Sequence, residues 1–126
     1  MAIDWKGVFP AVTTKFTSND TLDLALFTKN IEAQIAAGVN GIILGGTLGE
    51  SSVLTNAEKE ILVKETVKIV NGKIPVVINI AEGSTSVAIQ CAKDAENWGA
   101  KGLMLLPPMR YKSDHRETVQ YFKDIA

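Results

Sequence analysis

Thiol and imidazole are nearly missing from this chain: among its 126 residues there is one cysteine, Cys91, and one histidine, His115. A single thiol excludes an intrachain disulfide, and with one imidazole it leaves too few donors for a chain-internal zinc site. An excess of one charge is missing too. Thirteen Lys and Arg stand against 14 Asp and Glu, a net charge of −1, so there is no broad basic field of the kind that attracts nucleic acid. No apolar run approaches the roughly 18 residues of a membrane span. The start, Met1-Ala2-Ile3-Asp4-Trp5-Lys6, lacks the apolar core of a signal peptide. Together these absences point to a reducing cytoplasm, with no metal, cofactor, nucleic acid or membrane among the expected partners.

What is present is an ordinary globular composition, 46% hydrophobic and 21% charged, enough for one domain over residues 1–126 with a real core. Apolar runs alternate with helical patterns. Gly7-Val8-Phe9-Pro10-Ala11-Val12-Thr13 reads as a first strand, weakened by Pro10, which has no N–H for a ladder. Leu22, Leu26, Ile31, Ile35 and Ala36 recur at helical spacing, so a helix is expected over Leu22 to Ala37, ended by Gly38. Ile42-Ile43-Leu44 is a second strand. Thr55-Asn56-Ala57-Glu58 fits a capping box for a helix reaching Val70, which Asn71-Gly72 stops. Ile74 to Ile80 is a third strand. Ser84 is a candidate cap for a helix over Thr85 to Trp98. Gly102 to Leu106 is a fourth strand, ended by Pro107-Pro108. Asp114-His115-Arg116-Glu117 opens a last helix that runs to Ala126.

The order is β-α four times, an α/β chain. Three of the strands are continuous apolar runs, as parallel strands covered on both faces require. An internal echo is present: Gly38-Val39-Asn40-Gly41 precedes Ile42 much as Gly99-Ala100-Lys101-Gly102 precedes Leu103, two βα units later. A helix stop followed by a strand start accounts for both. Cys91, beside Ala88 and Ala92, reads as a small buried hydrophobe. Trp5 and Trp98 read as packing residues.

The stretch that stands out is Gly45-Gly46-Thr47-Leu48-Gly49-Glu50-Ser51. Three glycines and two hydroxyls follow a strand and precede a helix. Glycine adds no bulk and allows positive φ, so such a turn can present backbone N–H groups to an anion. The plainer alternative is that Thr47 and Gly49 satisfy the start of the following helix, and that Glu50 favours it electrostatically. Phosphate is a weaker possibility, since no Gly-x-x-x-x-Gly-Lys pattern is present. His115 sits where a solvated helix start is expected.

The first strand, the Gly46-Thr47-Leu48-Gly49-Glu50 turn, the run Pro75 to Ile80 and the segment Gly99 to Pro108 together resemble the N-terminal half of the dihydrodipicolinate synthase / N-acetylneuraminate lyase family. The resemblance covers essentially the whole chain. It implies half of a TIM (β/α)8 barrel, four βα units with the site at the strands' C-terminal ends. A flavodoxin-like doubly wound sheet is the alternative for four such units. It further implies Schiff-base chemistry on pyruvate or another 2-keto acid, with Gly46, Leu48 and Gly49 holding the carboxylate and Thr47 in a proton relay. Two departures bear on this. Leu48 stands where many members carry a second hydroxyl. Met109 and Arg110 stand where the family often has a tyrosine pair, with Tyr111 one residue on. Tyr111 is therefore the candidate relay partner, and Arg110 a candidate bidentate partner for a substrate carboxylate.

The family's Schiff-base lysine lies on a sixth strand, past the four units read here, and a full barrel takes roughly 200 residues or more. Lys15 and Lys112 alone fall in βα loops on the expected side. The expectation is thus a truncated family member that carries the carboxylate turn without the lysine; whether it is an enzyme is left open. The alternative is a non-catalytic half-barrel assembly module. Either way the open strand edges predict a homodimer or higher homo-oligomer.

Overall fold

Asp23 opens the first helix by accepting the N–H of Leu26, so α1 runs over Leu24–Ala36. Leu22 lies outside it, in an isolated antiparallel bridge with Phe16. The structure, a computed structural model, describes residues 2–126. The remaining elements follow the sequence closely: β1 Ile42–Leu44, α2 Asn56–Val70, β2 Val76–Ile80, α3 Thr85–Trp98, β3 Gly102–Leu105 and α4 His115–Ile125. Thr55 and Asp114 both close full capping boxes, with Glu58 and Glu117 reaching back. Ser84 caps α3.

The expected first strand is reduced to one bridge. Ala11 pairs in parallel with Ile43, through Ile43 N–H to the Pro10 carbonyl and Val12 N–H to the Ile43 carbonyl. Pro10 accepts but has no N–H to donate, so the ladder does not extend toward Val8. Around that gap Val8 exchanges hydrogen bonds with Asn40, whose Oδ1 accepts the Val8 N–H.

The three strands form a parallel sheet in the order β1-β2-β3. With the Ala11 segment beside β1, spatial order equals sequence order throughout. A doubly wound sheet reverses its order at a switch point, so the flavodoxin-like alternative is not the arrangement found. Successive helices lie side by side, α1 against α2, α2 against α3 and α3 against α4. This is the arrangement of adjacent units of a β/α barrel.

One face of the sheet carries the core. Val76 and Ile78 pack with Phe27, Ile31, Leu62 and Val63 of the helices. Ile80 packs with Ala88 and Tyr121. In α1 the buried stripe is Phe27 and Ile31, while Leu26, one of the residues at helical spacing, is 48% exposed; the four-residue step from Phe27 sets the phase. Strand alternation then turns Ile43, Val77, Asn79 and Met104 to the opposite, concave face.

The N-terminal segment covers the lower end of that face. A Cβ on Gly41 would fall 2.1 Å from the Phe9 ring, and one on Gly102 would fall 2.5 Å from Trp5. Trp5 and Phe9 stack with centroids 6.0 Å apart. The internal echo thus has a structural meaning. Gly38 and Gly99 take φ of +82° and +99° at helix ends, and each second glycine makes room for an aromatic ring. Among the described residues, no helix is long and apolar enough to cross a membrane.

Candidate functional site

Past Leu44 the backbone turns sharply through Gly45, at φ +63°, and leaves the turn through Glu50, at φ +60°. Between them the chain is closed by Glu50 N–H to Thr47 carbonyl and Ser51 N–H to Gly46 carbonyl. Gly49 is held tight. A Cβ there would lie 3.0 Å from the Val12 carbonyl oxygen and 3.1 Å from the Gly45 and Gly46 nitrogens. Its own carbonyl accepts the buried Thr14 hydroxyl at 2.6 Å. Among the described residues, the N–H groups of Gly46, Thr47, Leu48 and Gly49 have no hydrogen-bond partner. Four successive unpaired donors in a tight turn are the raw material of an anion site.

The turn does not start α2. That helix begins at Asn56 under its own Thr55 cap, so Thr47, Gly49 and Glu50 lie well before it and satisfy none of its amides. Gly46 is buried and faces the concave side, where a Cβ would come within 3.7 Å of both Ala11 and the Met104 methyl. Thr47 is exposed, and Leu48 is 74% exposed.

The loop after β3 carries the other sequence candidates. Met109, Arg110 and Tyr111 are all exposed. The Tyr111 hydroxyl donates to the Glu117 carboxylate, at 3.0 Å to Oε1. That hydrogen bond first, and the carboxylate charge second, hold the Tyr111 phenol above its ordinary pKa. Tyr111 lines an open cleft of about 760 Å³ with Ser84, Pro108, Ser113, Glu117 and Tyr121. No hydrogen bond joins Tyr111 or Arg110 to the glycine turn among the described residues.

Three polar residues escaped the sequence reading. Thr14 is buried under the turn. Asn79, in the middle of β2, is 3% exposed, and its Oδ1 has no partner among the described residues. Glu82 pairs with Lys59 at 3.5 Å on the helix side of the sheet. The signal for Asn79 was present as the one amide inside an otherwise apolar strand. Cys91 is half-buried rather than fully buried. Its Sγ lies 3.8 Å from the Glu82 carboxylate. Burial first, and then that carboxylate's charge, push the thiol pKa up. Among the described residues no cluster of His, Cys, Asp and Glu is placed to hold a metal.

Residues 4–126 match the model of the dihydrodipicolinate synthetase family. The chain belongs to this family. It is 36% identical to the 4-hydroxy-tetrahydrodipicolinate synthase of Exiguobacterium sibiricum over 97% of its length. It superposes on dihydrodipicolinate synthase DapA-2 of Bacillus anthracis with a TM-score of 0.93 and 33% identity, over 98% of this chain and 42% of that one. A prophage member of the family from E. coli K12, solved in complex with pyruvate, aligns with a TM-score of 0.90 and 28% identity, over 97% of this chain and 41% of that one. The chain spans about two fifths of the length of the curated relatives it matches, 42% for the Exiguobacterium enzyme. The relation to the family's enzymes therefore concerns their N-terminal part.

Proposed function

We propose that this chain is a single (βα)4 half-barrel domain carrying the keto-acid carboxylate turn of a Schiff-base-forming 2-keto acid lyase or aldolase. One observation carries the reading: the four unpaired N–H groups of Gly46 to Gly49, held at the C-terminal end of β1. A carboxylate placed on them takes charge-assisted hydrogen bonds. In this reading Gly46, Leu48 and Gly49 bind through the backbone, since Leu48 has no hydroxyl to add. Thr47 is the relay hydroxyl, Tyr111 its partner and Arg110 a second carboxylate ligand, all three brought in by loop closure from their exposed positions.

The Schiff-base lysine comes from outside these residues. Ile43, Val77, Asn79 and Met104, which β1, β2 and β3 turn to the concave face, include no lysine. Lys15 and Lys112 lie in loops, where desolvation sufficient to lower an amine pKa is hard to achieve. Pyruvate is the natural probe, given the pyruvate complex of the E. coli relative. Titration with pyruvate should shift the amide resonances of Gly46 to Gly49, while borohydride added to the mixture leaves no adduct in the mass spectrum. Unmoved turn amides at millimolar pyruvate would overturn the reading.

A second reading, a non-catalytic assembly module, draws on the open edge at β3 and α4. Leu103, Val119 and Phe122 are each 38–39% exposed there. Apolar side chains beside an unpaired parallel strand favour association with further chain. Light scattering over a concentration series should show a dimer or larger species, and a stable monomer at micromolar concentration would exclude it.

A further inference from the structure

Asn79 occupies the centre of β2, between Ile78 and Ile80, where every residue of the strand is buried. Its register partner on β3 is Met104. On the other side Leu44 pairs with Ile78, so Asn79 lies one step further, level with Gly45 at the opening of the turn. Ile78 and Ile80 point to the helices. The Asn79 side chain therefore enters the concave face directly below the glycine turn. Met104 crosses over this position, because its methyl reaches to within 3.7 Å of where Gly46 would carry a Cβ.

The carboxamide makes no hydrogen bond within the described residues, and its Oδ1 is fully enclosed. A buried amide without partners is costly, and Val or Ile would fill the same place on a central strand more stably. Met104, the side chain lying over it, is unbranched and easily displaced.

We propose that Asn79 is a specificity-determining residue that hydrogen-bonds a hydroxyl group on the ligand, beside the carboxylate held by the turn. The inference rests on the carboxylate reading of that turn. A primary amide offers one acceptor and two donors at one point, and a hydroxyl matches both functions. A methyl in the same place leaves the amide unpaired. The ligand favoured is thus a hydroxylated 2-keto acid over pyruvate itself. Met104 swings aside to admit it and then closes over its chain.

The test compares pyruvate with 3-hydroxypyruvate, which adds one hydroxyl, by NMR titration of the full chain. Both should shift the Gly46 to Gly49 amides. Hydroxypyruvate should bind about 2- to 12-fold more tightly, the range for one neutral hydrogen bond, and it alone should move the Asn79 side-chain NH2 resonances. In N79A the preference should vanish while pyruvate binding stays; N79V, which fills the strand position and carries no polar atom, serves if N79A fails to fold. Equal affinities, a preference that survives N79A, or an unmoved Asn79 carboxamide would overturn the inference and leave the turn's role standing. Turn amides that respond to neither acid would instead remove the carboxylate reading, and this inference with it.

Discussion

The Thr14 hydroxyl donates to the Gly49 carbonyl across 2.6 Å in a buried position, and so anchors the glycine turn to the segment beside β1. Thr14→Val keeps the shape but leaves that carbonyl unpaired. A buried acceptor so orphaned costs about 1–3 kcal/mol, to be read from urea denaturation midpoints. Thr14→Ser keeps the hydroxyl and should recover most of the loss. Equal stability of the Val and Ser variants would show that the bond does not hold the turn.

Gly49 is irreplaceable for a different reason. An alanine Cβ there would press on the Val12 carbonyl and on the nitrogens of Gly45 and Gly46 at 3.0–3.1 Å, and backbone cannot step aside as a side-chain tip can. Gly49→Ala should destabilise by about 1–3 kcal/mol, the usual range for overpacking, and should abolish the response of the turn amides to pyruvate. Gly83 has open space around it and no left-handed backbone. Gly83→Ala should be close to neutral in the same assays.

Most of the fold was legible because local chemistry and tertiary packing agree. The Thr55, Ser84 and Asp114 caps and the left-handed Asn71 and Gly99 stops lie where the residue types place them. The first strand shrank to a bridge because Pro10 deletes a donor, an effect whose direction the sequence shows and whose extent it does not. Of the residues spaced for α1, Ile31 is buried and Leu26 is 48% exposed, because Leu24 and Leu26 are as apolar as Phe27 and only the neighbouring elements decide which of them is buried. The glycine turn was legible as a candidate site. Its tie to Thr14, and the inward amide of Asn79, depend on register across strands far apart in sequence. The position of Tyr111 depends on a loop whose course no periodicity encodes.

The Tyr111–Glu117 contact can be read by titration. Donation to the carboxylate raises the Tyr111 pKa above its ordinary value of 10.0. The resulting stabilisation is fully present below the unfolded pKa and is lost as pH rises through the higher folded pKa. Tyr121 is raised as well, by burial first and by Glu82 second. These are the chain's two tyrosines, so phenolate absorbance resolves both. Glu117→Gln should lower one midpoint toward the ordinary value and leave the other in place. Tyr111→Phe should remove the midpoint that Glu117→Gln moves. Two midpoints unaffected by Glu117→Gln would mean the hydrogen bond is absent in solution.

The glycine pair that receives the aromatic rings should divide by how freely each ring can move. At Gly102 the obstacle to a Cβ is the tip of Trp5 at 2.5 Å, on a side chain that is 57% exposed. The indole can lift away, so Gly102→Ala should cost under about 1 kcal/mol, while the freed ring loses its stack on Phe9. At Gly41 the obstacle is the half-buried Phe9 ring at 2.1 Å, next to the bridge that ties Ala11 to Ile43. Moving that ring displaces the backbone of the bridge, so Gly41→Ala should cost about 1–3 kcal/mol, as overpacked positions do. Denaturation of each variant in a Trp98→Phe background, where Trp5 is the sole tryptophan, reads both effects at once. Gly102→Ala should change the emission of the native state with little change in stability, and Gly41→Ala should lower the midpoint. The reverse ranking would mean that Trp5, and not Phe9, is the ring that closes the lower end of the concave face.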